Sequence, residues 1–303
     1  MRNLSPIALF VYDRPDHVEK TIAALKENEL SSLSDLIIYS DFPKTEDSAK
    51  GVELVRSLIK NISGFKTVRV IEQPVNKGLA MSITEGVTRI VEEYGKVIVL
   101  EDDIITGRYF LKFMNDALDF YENNPQISSI SAYNYPADLS HLDSDTYLLR
   151  VPLCWGWATW KEEWSSYRKD LSMVDRIEPE LISYINFDNT YDYFSQAVKN
   201  VDGRLNTWFI FWYLGSAKLK KLTLFPRYSL ANNIGHDGTG QNSGSSHYFN
   251  QDIYHQPIDV SDIEIKENAY AFREHKIFFN KIKRTLYNRI KHRVIRHVFK
   301  TKI

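Results

Sequence analysis

The sequence predicts an α/β domain built on a mostly parallel sheet flanked by helices, and three observations carry that expectation. Strand-like and helix-like segments alternate through the first third of the chain. Residues 96–100, Lys-Val-Ile-Val-Leu, form an apolar run without alternation, the pattern of a strand covered on both faces. That run stops abruptly at Glu101-Asp102-Asp103. Three carboxylates cannot continue a buried strand, so they emerge at its carboxyl end, where open α/β sheets build their ligand sites.

Taken in order, a first strand at 6–12 is followed by a helix near 16–29, with Asp13 or Asp16 available as its cap. A second strand at 35–40 ends at Asp41-Phe42-Pro43, and a helix follows at about 46–61. Residues 66–71 read as a third strand. The turn Gln73-Pro74-Val75-Asn76-Lys77-Gly78 then opens a helix running to about Tyr94, ahead of the fourth strand at 96–100. Strands separated by helices imply right-handed crossovers. No internal repeat or low-complexity segment appears.

At 303 residues the chain can bury a full core. Its one cysteine, Cys154, allows no intramolecular disulfide and fits a reducing compartment. No charged leader precedes the first strand and no stretch is long and apolar enough to span a bilayer, so the expected location is cytoplasmic. The net charge of −1 conceals an asymmetry, because ten Lys or Arg and no acid follow Glu274, which leaves −11 on residues 1–274. Within that tail Phe278, Ile282, Leu286, Ile290, Val294 and Val298 recur every four residues, the stripe of a basic amphipathic helix. Such a helix lies on an anionic lipid surface, peripheral to the inner face of a membrane, or docks on its own acidic domain. The tail lacks a nucleic-acid recognition motif, so nucleic acid is not the expected partner.

Carboxylates at a strand end are hard ligands suited to Mg²⁺ or Mn²⁺, and such ions commonly take a substrate's phosphates as further ligands. Tyr12-Asp13-Arg14, Ser40-Asp41, Asn76-Lys77-Gly78 and Glu101-Asp102-Asp103, in that order at four strand ends, resemble the nucleotide-sugar domain of GT-A fold glycosyltransferases. The Asn-Lys-Gly turn before a helix is similar to that of family 2, and the Glu-Asp-Asp motif to that of the N-acetylglucosaminyltransferase I family. Downstream, Cys154-Trp155-Gly156-Trp157-Ala158-Thr159-Trp160 and Ser246-His247-Tyr248-Phe249 resemble segments of the latter. The resemblance implies a Rossmann-like GT-A domain over 1–250, with a nucleotide-sugar half at 1–105 and an acceptor half at 106–250. Residues 251–303 would then be an extension carrying the basic helix.

What the resemblance implies chemically is a metal-dependent, inverting transfer from a UDP-sugar, UDP-GlcNAc or another UDP-hexose, to a glycan or lipid-linked acceptor in surface polysaccharide synthesis. It puts Asp103 on the metal, Mn²⁺ or Mg²⁺. Asp102 faces the ribose or a metal-bound water, and Glu101 orients the loop. Lys77 and the helix opening at Gly78 supply positive charge and oriented N–H groups to the phosphates, although Gly78 also reads simply as a turn residue. Asp41 accepts from a uracil N–H, and Tyr12 and Arg14 stand beside the base or diphosphate, Arg14 being equally readable as a solvated cation.

All six tryptophans fall between positions 155 and 212. Aromatic rings stack on sugar faces but also anchor cores. Trp160 and Trp164, like Trp208 and Trp212, stand one helical turn apart, which favours packing. Trp155 and Trp157 flank Gly156, where a backbone can approach a ligand closely, and are the better functional candidates. An inverting transfer needs a base for the acceptor hydroxyl. Where the resembled family has an acid directly after a Trp, this chain reads Trp208-Phe209, leaving Asp202 and Asp237 as candidates. The Gly-rich loop at 235–244 has the composition of a closing flap, and His236 or His247 would complete a metal shell, touch a phosphate, or be structural. The competing readings are a sugar nucleotidyltransferase, disfavoured because Tyr12-Asp13-Arg14-Pro15-Asp16 stands where a Gly-rich loop is needed, and a nucleotide- or glycan-binding protein without turnover.

Overall fold

The parallel half forms where residue patterning places it, in a computed structural model that describes residues 3–238 and 247–283. Strands β1 (Ile7–Val11), β2 (Asp35–Ser40), β3 (Thr67–Glu72) and β4 (Lys96–Glu101) alternate with helices α1 (Pro15–Lys26), α2 (Glu46–Ile59) and α3 (Gly78–Tyr94). β1 pairs in parallel with β2 and β4, and β2 with β3. Val97, Ile98, Val99 and Leu100 are fully buried, as a centre strand covered by helices on both faces requires.

The helix boundaries follow from local chemistry. α1 opens on Pro15, whose fixed φ and missing N–H suit a first turn. Neither Asp13 nor Asp16 caps it. Arg14 holds the cap position without a side-chain cap bond, its guanidinium being drawn instead to acids across the sheet edge. α2 starts with a Thr45–Ser48 capping box, and α3 stops at Gly95, whose φ of +80° closes the helix in the left-handed region.

Beyond β4 the sheet becomes mixed. The chain continues through β5 (Ile104–Thr106), α4 (Phe110–Phe120), β6 (Ile127–Ser131), β7 (Thr146–Leu149), β8 (Trp157–Trp160), α5 (Lys161–Trp164), α6 (Pro179–Ile185), α7 (Ser195–Val201), α8 (Phe209–Lys218), β9 (Leu222–Pro226) and β10 (Ala231–Asn233). Among the described residues the main sheet runs β3-β2-β1-β4-β8-β6-β9-β7, with β8 antiparallel to both β4 and β6. β10 pairs with β5 in a separate antiparallel ribbon, which lays the segment after Asn233 against the acids that precede β5. Trp160 ends a strand rather than sitting one helical turn from Trp164.

The chain after residue 250 does not separate from this core. A helix spans 269–283, here α9. Its Ala271, His275, Phe279 and Ile282 are buried, with the Phe279 ring 4.9 Å from that of Tyr135 and 4.5 Å from that of Tyr191. Phe278 stacks on Tyr135 as well, so the described start of the apolar stripe docks on the protein's own domain. The stripe from Leu286 onward lies outside the described residues. Among the described residues no helix is long and apolar enough to cross a membrane.

Candidate active site

Strand register assembles the site. Phe10 lies opposite Glu101 and Val11 opposite Ser40, so the residues following β1, β2 and β4 meet at one edge of the sheet. They line a cavity of about 640 Å³. Of the residues singled out in the sequence, Tyr12, Arg14, Asp41, Gly78, Glu101, Asp102 and Asp103 are on its wall.

Arg14 organises the acids. Its Nη2 donates to Asp102 Oδ1 and, at 2.8 Å, to Asp103 Oδ2, while Nε reaches Asp102 Oδ2 at 3.3 Å. Both carboxylates are nearly buried, and two atoms of the cluster have no hydrogen-bond partner: Arg14 Nη1 and Asp103 Oδ1. A buried donor and a buried acceptor left open on touching residues are costly unless a ligand meets them. Burial raises Asp102 to about 6, with Arg14 opposing that rise and Asp103 adding to it. Burial, reinforced by Asp103 and Asp102, pushes Glu101 well above the carboxylate range. Cys154 on the same wall is likewise raised by burial and by Glu101. Leaving Glu101 aside, the wall carries Asp13, Asp41, Asp102 and Asp103 against Arg14 and Lys44, an excess of acids that favours a cation.

The segment after β10 closes over this cluster. Ile234 N–H donates to the Asp103 carbonyl at 2.9 Å, and Gly235 N–H to Asn233 Oδ1 at 2.7 Å. A Cβ on Gly235 would stand 2.1 Å from Asp103 Oδ2, so the close approach requires glycine there. His236 follows on the cavity wall, 5.0 Å from the Trp155 ring.

Asp41 acts as a clamp. Its Oδ1 accepts from Phe42 N–H at 2.8 Å and Lys77 N–H at 2.9 Å, and its Oδ2 from Gly78 N–H at 2.8 Å and Asn76 Nδ2 at 3.2 Å. Four donors fill the four lone-pair directions of a carboxylate, so a uracil N–H finds no open acceptor on Asp41 in this arrangement. The clamp fixes the Asn76-Lys77-Gly78 turn, whose Gly78 has a φ of +70°. It also consumes the Gly78 N–H expected for phosphate. Lys77 turns away from the cavity and pairs with Glu85.

The opposite wall is aromatic and comes from the second half of the chain. Trp155, Tyr193, Trp208 and Phe249 face the cavity, joined by the polar Gln196, Asn206 and Thr207. Trp157 does not face it: this ring is buried and stacks on the back of Trp208 at 5.0 Å and 25°. Gly156 approaches core rather than ligand, since a Cβ there would meet Phe110 at 3.2 Å. Asp202 is also elsewhere, at the solvent-exposed end of α7 in a pair with Arg204, where α7's C-terminus points it outward. Asp237 pairs with His17 at 3.2 Å beside the cavity rather than on its wall, and His247 is exposed. The expected flap at 235–244 is described only as far as Asp237 and Gly238, residues 239–246 lying outside the described residues.

Sequence reasoning missed Tyr135, Tyr193, Gln196 and Asn233 as wall residues. The spaced aromatics Tyr133-Asn134-Tyr135 and Tyr191-Asp192-Tyr193 are a signal for the first two; nothing local marks the others. Among the described residues, no three His, Cys, Asp or Glu side chains are grouped to hold a metal by themselves. The open Asp103 Oδ1 fits a different kind of site, in which one or two carboxylates and a substrate's oxygens share the ion.

No family model and no curated protein matches the chain. Among solved structures it is similar to a mannosyltransferase, PcManGT from Pyrobaculum calidifontis, in complex with GDP-Man and Mn²⁺, at 11% identity and a TM-score of 0.35 over 53% of this chain and 46% of that one. It is also similar to S. aureus TarS, at 11% identity and a TM-score of 0.34 over 62% of this chain and 33% of that one. A mycobacterial protein matches at 12% identity and a TM-score of 0.30, over 52% and 54% of the two chains. The chain thus spans about half or less of these structures.

Proposed function

We propose that the cavity binds a UDP-activated sugar and transfers the sugar to a hydroxyl of a glycan or lipid-linked acceptor, in the manner of a GT-A glycosyltransferase. The observation that carries this reading is the open pair on the cavity floor. Among the described residues, buried Asp103 Oδ1 and Arg14 Nη1 have no hydrogen-bond partner, and the two residues touch. A diphosphate with its divalent ion meets both needs at once.

Asp103, with Asp102 beside it, would hold Mn²⁺ or Mg²⁺, which supplies Lewis-acid neutralisation of the departing diphosphate. Arg14 donates from Nη1 to a phosphate oxygen while its other nitrogens keep the two acids in place. Asp41 positions the turn that borders the nucleotide end. Trp155, Tyr193 and Trp208 supply ring faces for the sugars and exclude water from the reacting centre. With Asp202 at the exposed end of α7, Glu101 on the wall and Asp237, beside the cavity in its pair with His17, remain to accept the acceptor's proton. The cations after Glu274 suit attachment to an anionic membrane surface, where a lipid-linked acceptor would be found.

A second reading, a nucleotide- or glycan-binding protein without turnover, is favoured by one observation. Among the described residues, the aromatic half of the cavity offers Gln196, Asn206 and Thr207 but no carboxylate. Incubation with UDP-sugars and Mn²⁺ separates the two. Release of UDP supports transfer chemistry, whereas tight UDP binding without release supports the binding protein.

A further inference from the structure

A second hollow, of about 580 Å³, lies across the Asn76-Lys77-Gly78 turn from the first cavity. The turn is the ridge between them, with Asn76 and Gly78 facing the first and Lys77 the second, and Asn206 lines both. The floor is apolar, from Ala80, Met81 and Trp164, and Lys77, Lys161, Arg168 and Lys169 stand around it against the single acid Glu92.

Among the described residues, two of these cations have no carboxylate partner. Arg168 donates from Nη1 only to the carbonyls of Ser165, at 2.7 Å, and Tyr167, at 2.6 Å. Lys169 donates to Asn206 Oδ1, and its ammonium lies 5.6 Å from the Phe211 ring centroid. It is partly buried, and desolvation lowers its pKa. A partly desolvated ammonium with no carboxylate beside it among the described residues, held at the rim shared with the first cavity, is suited to receive an anion.

We propose that this hollow is the subsite for an acceptor glycan bearing oxyanions, phosphodiester or carboxylate, whose hydroxyl end passes over Asn206 into the first cavity. The proposal rests on the reading of the first cavity as a sugar-transfer site and specifies the acceptor that site takes. The apolar floor accommodates sugar rings while Arg168 and Lys169 take the charges. Lys77 and Lys161 contribute less because Glu85 and Glu92 already pair with them.

The test is calorimetric titration of the full chain, with and without saturating UDP, using three probes: inorganic tripolyphosphate, an oligogalacturonate and a neutral malto-oligosaccharide. With UDP present, at least one anionic probe should bind while the neutral oligomer does not. The variant combining Lys161→Ala, Arg168→Ala and Lys169→Ala should weaken that binding by about tenfold or more, and high salt should weaken it in the wild type. UDP affinity should be unchanged. Lys169→Gln, which keeps an amide for Asn206 but removes the charge, should lose part of the same affinity. Binding of tripolyphosphate assigns phosphodiesters and binding of oligogalacturonate assigns carboxylates. Anion binding that survives the triple substitution, failure of both anionic probes to bind, or equal binding of the neutral oligomer overturns the proposal. Failure of the transfer reading shows separately, as absence of UDP release from any UDP-sugar while anion binding persists.

Discussion

His275 on α9 makes the stability of this protein depend on pH in a direction that the structure fixes. The ring is fully buried, its Nδ1 bonded to the Ala271 carbonyl at 2.7 Å and its centroid 6.0 Å from those of Tyr135 and Tyr147. Burial lowers its pKa from 6.5 to about 4, the bond to Ala271 opposing only in part. The unfolded chain therefore binds a proton at pH 5 that the folded chain does not, and stability rises with pH across that window. The contribution is complete above about pH 6.5 and is lost as pH falls toward 4. Between pH 7 and pH 5 it amounts to roughly 2 kcal/mol, and over the whole window to about 3 kcal/mol. Urea unfolding followed by tryptophan fluorescence at pH 7 and pH 5 measures it, with His275→Phe as the reference because every other group titrates in both proteins. The wild type should lose about 2 kcal/mol more than the variant on acidification. Equal losses would show that His275 is not buried in neutral form, and with that the docking of α9 would be wrong.

Other outcomes follow from the cavity. Asp202→Asn should leave UDP-sugar turnover unchanged, whereas Asp237→Asn or Glu101→Gln should lower kcat by about 10²-fold, the affected one marking the proton acceptor; a large loss from Asp202→Asn in steady-state kinetics would contradict its placement at the exposed end of α7. Gly235→Ala puts a methyl group into Asp103 Oδ2 and should abolish binding of UDP with Mn²⁺, measured by calorimetry, while wild-type binding would refute the close approach. Asp41→Ala removes four hydrogen bonds, three of them to the Asn76-Lys77-Gly78 turn, and should lower stability by a few kcal/mol in urea unfolding. A loss confined to UDP affinity would mean that Asp41 serves the base rather than the turn.

The first four strands were legible because their cores are local apolar runs and the helices between them carry their own periodicity. β6 was not. Its Ile-Ser-Ser-Ile-Ser sequence looks polar, yet every residue is buried. The hydroxyls find partners from a distant strand: Ser129 bonds Thr223 at 2.9 Å, and the Ser128 hydroxyl donates to the Leu222 carbonyl at 3.3 Å. Residues that are satisfied only in the tertiary structure carry no local signature. The acid motif was readable from its strand, but the roles around it were not. Asp41 and Lys77 have the residue types for nucleotide contact, and the hydrogen bonds of one turn and the reach of Glu85 direct them elsewhere. Arg14 reads from sequence as a solvated cation as readily as a site residue, and only the approach of β1 to β4 puts it between two acids.

Titration of UDP into the protein with and without Mn²⁺, comparing wild type with Asp103→Asn, addresses the central claim most directly. UDP should bind the wild type, and Mn²⁺ should tighten binding by an order of magnitude or more, because Asp103 Oδ1 and the diphosphate share the ion. In Asp103→Asn the tightening should vanish while the fold, read by its thermal transition, stays intact. Mn²⁺ enhancement that persists undiminished in Asp103→Asn, or a wild type that binds no UDP under either condition, would contradict the assignment of this cavity to a nucleotide-sugar.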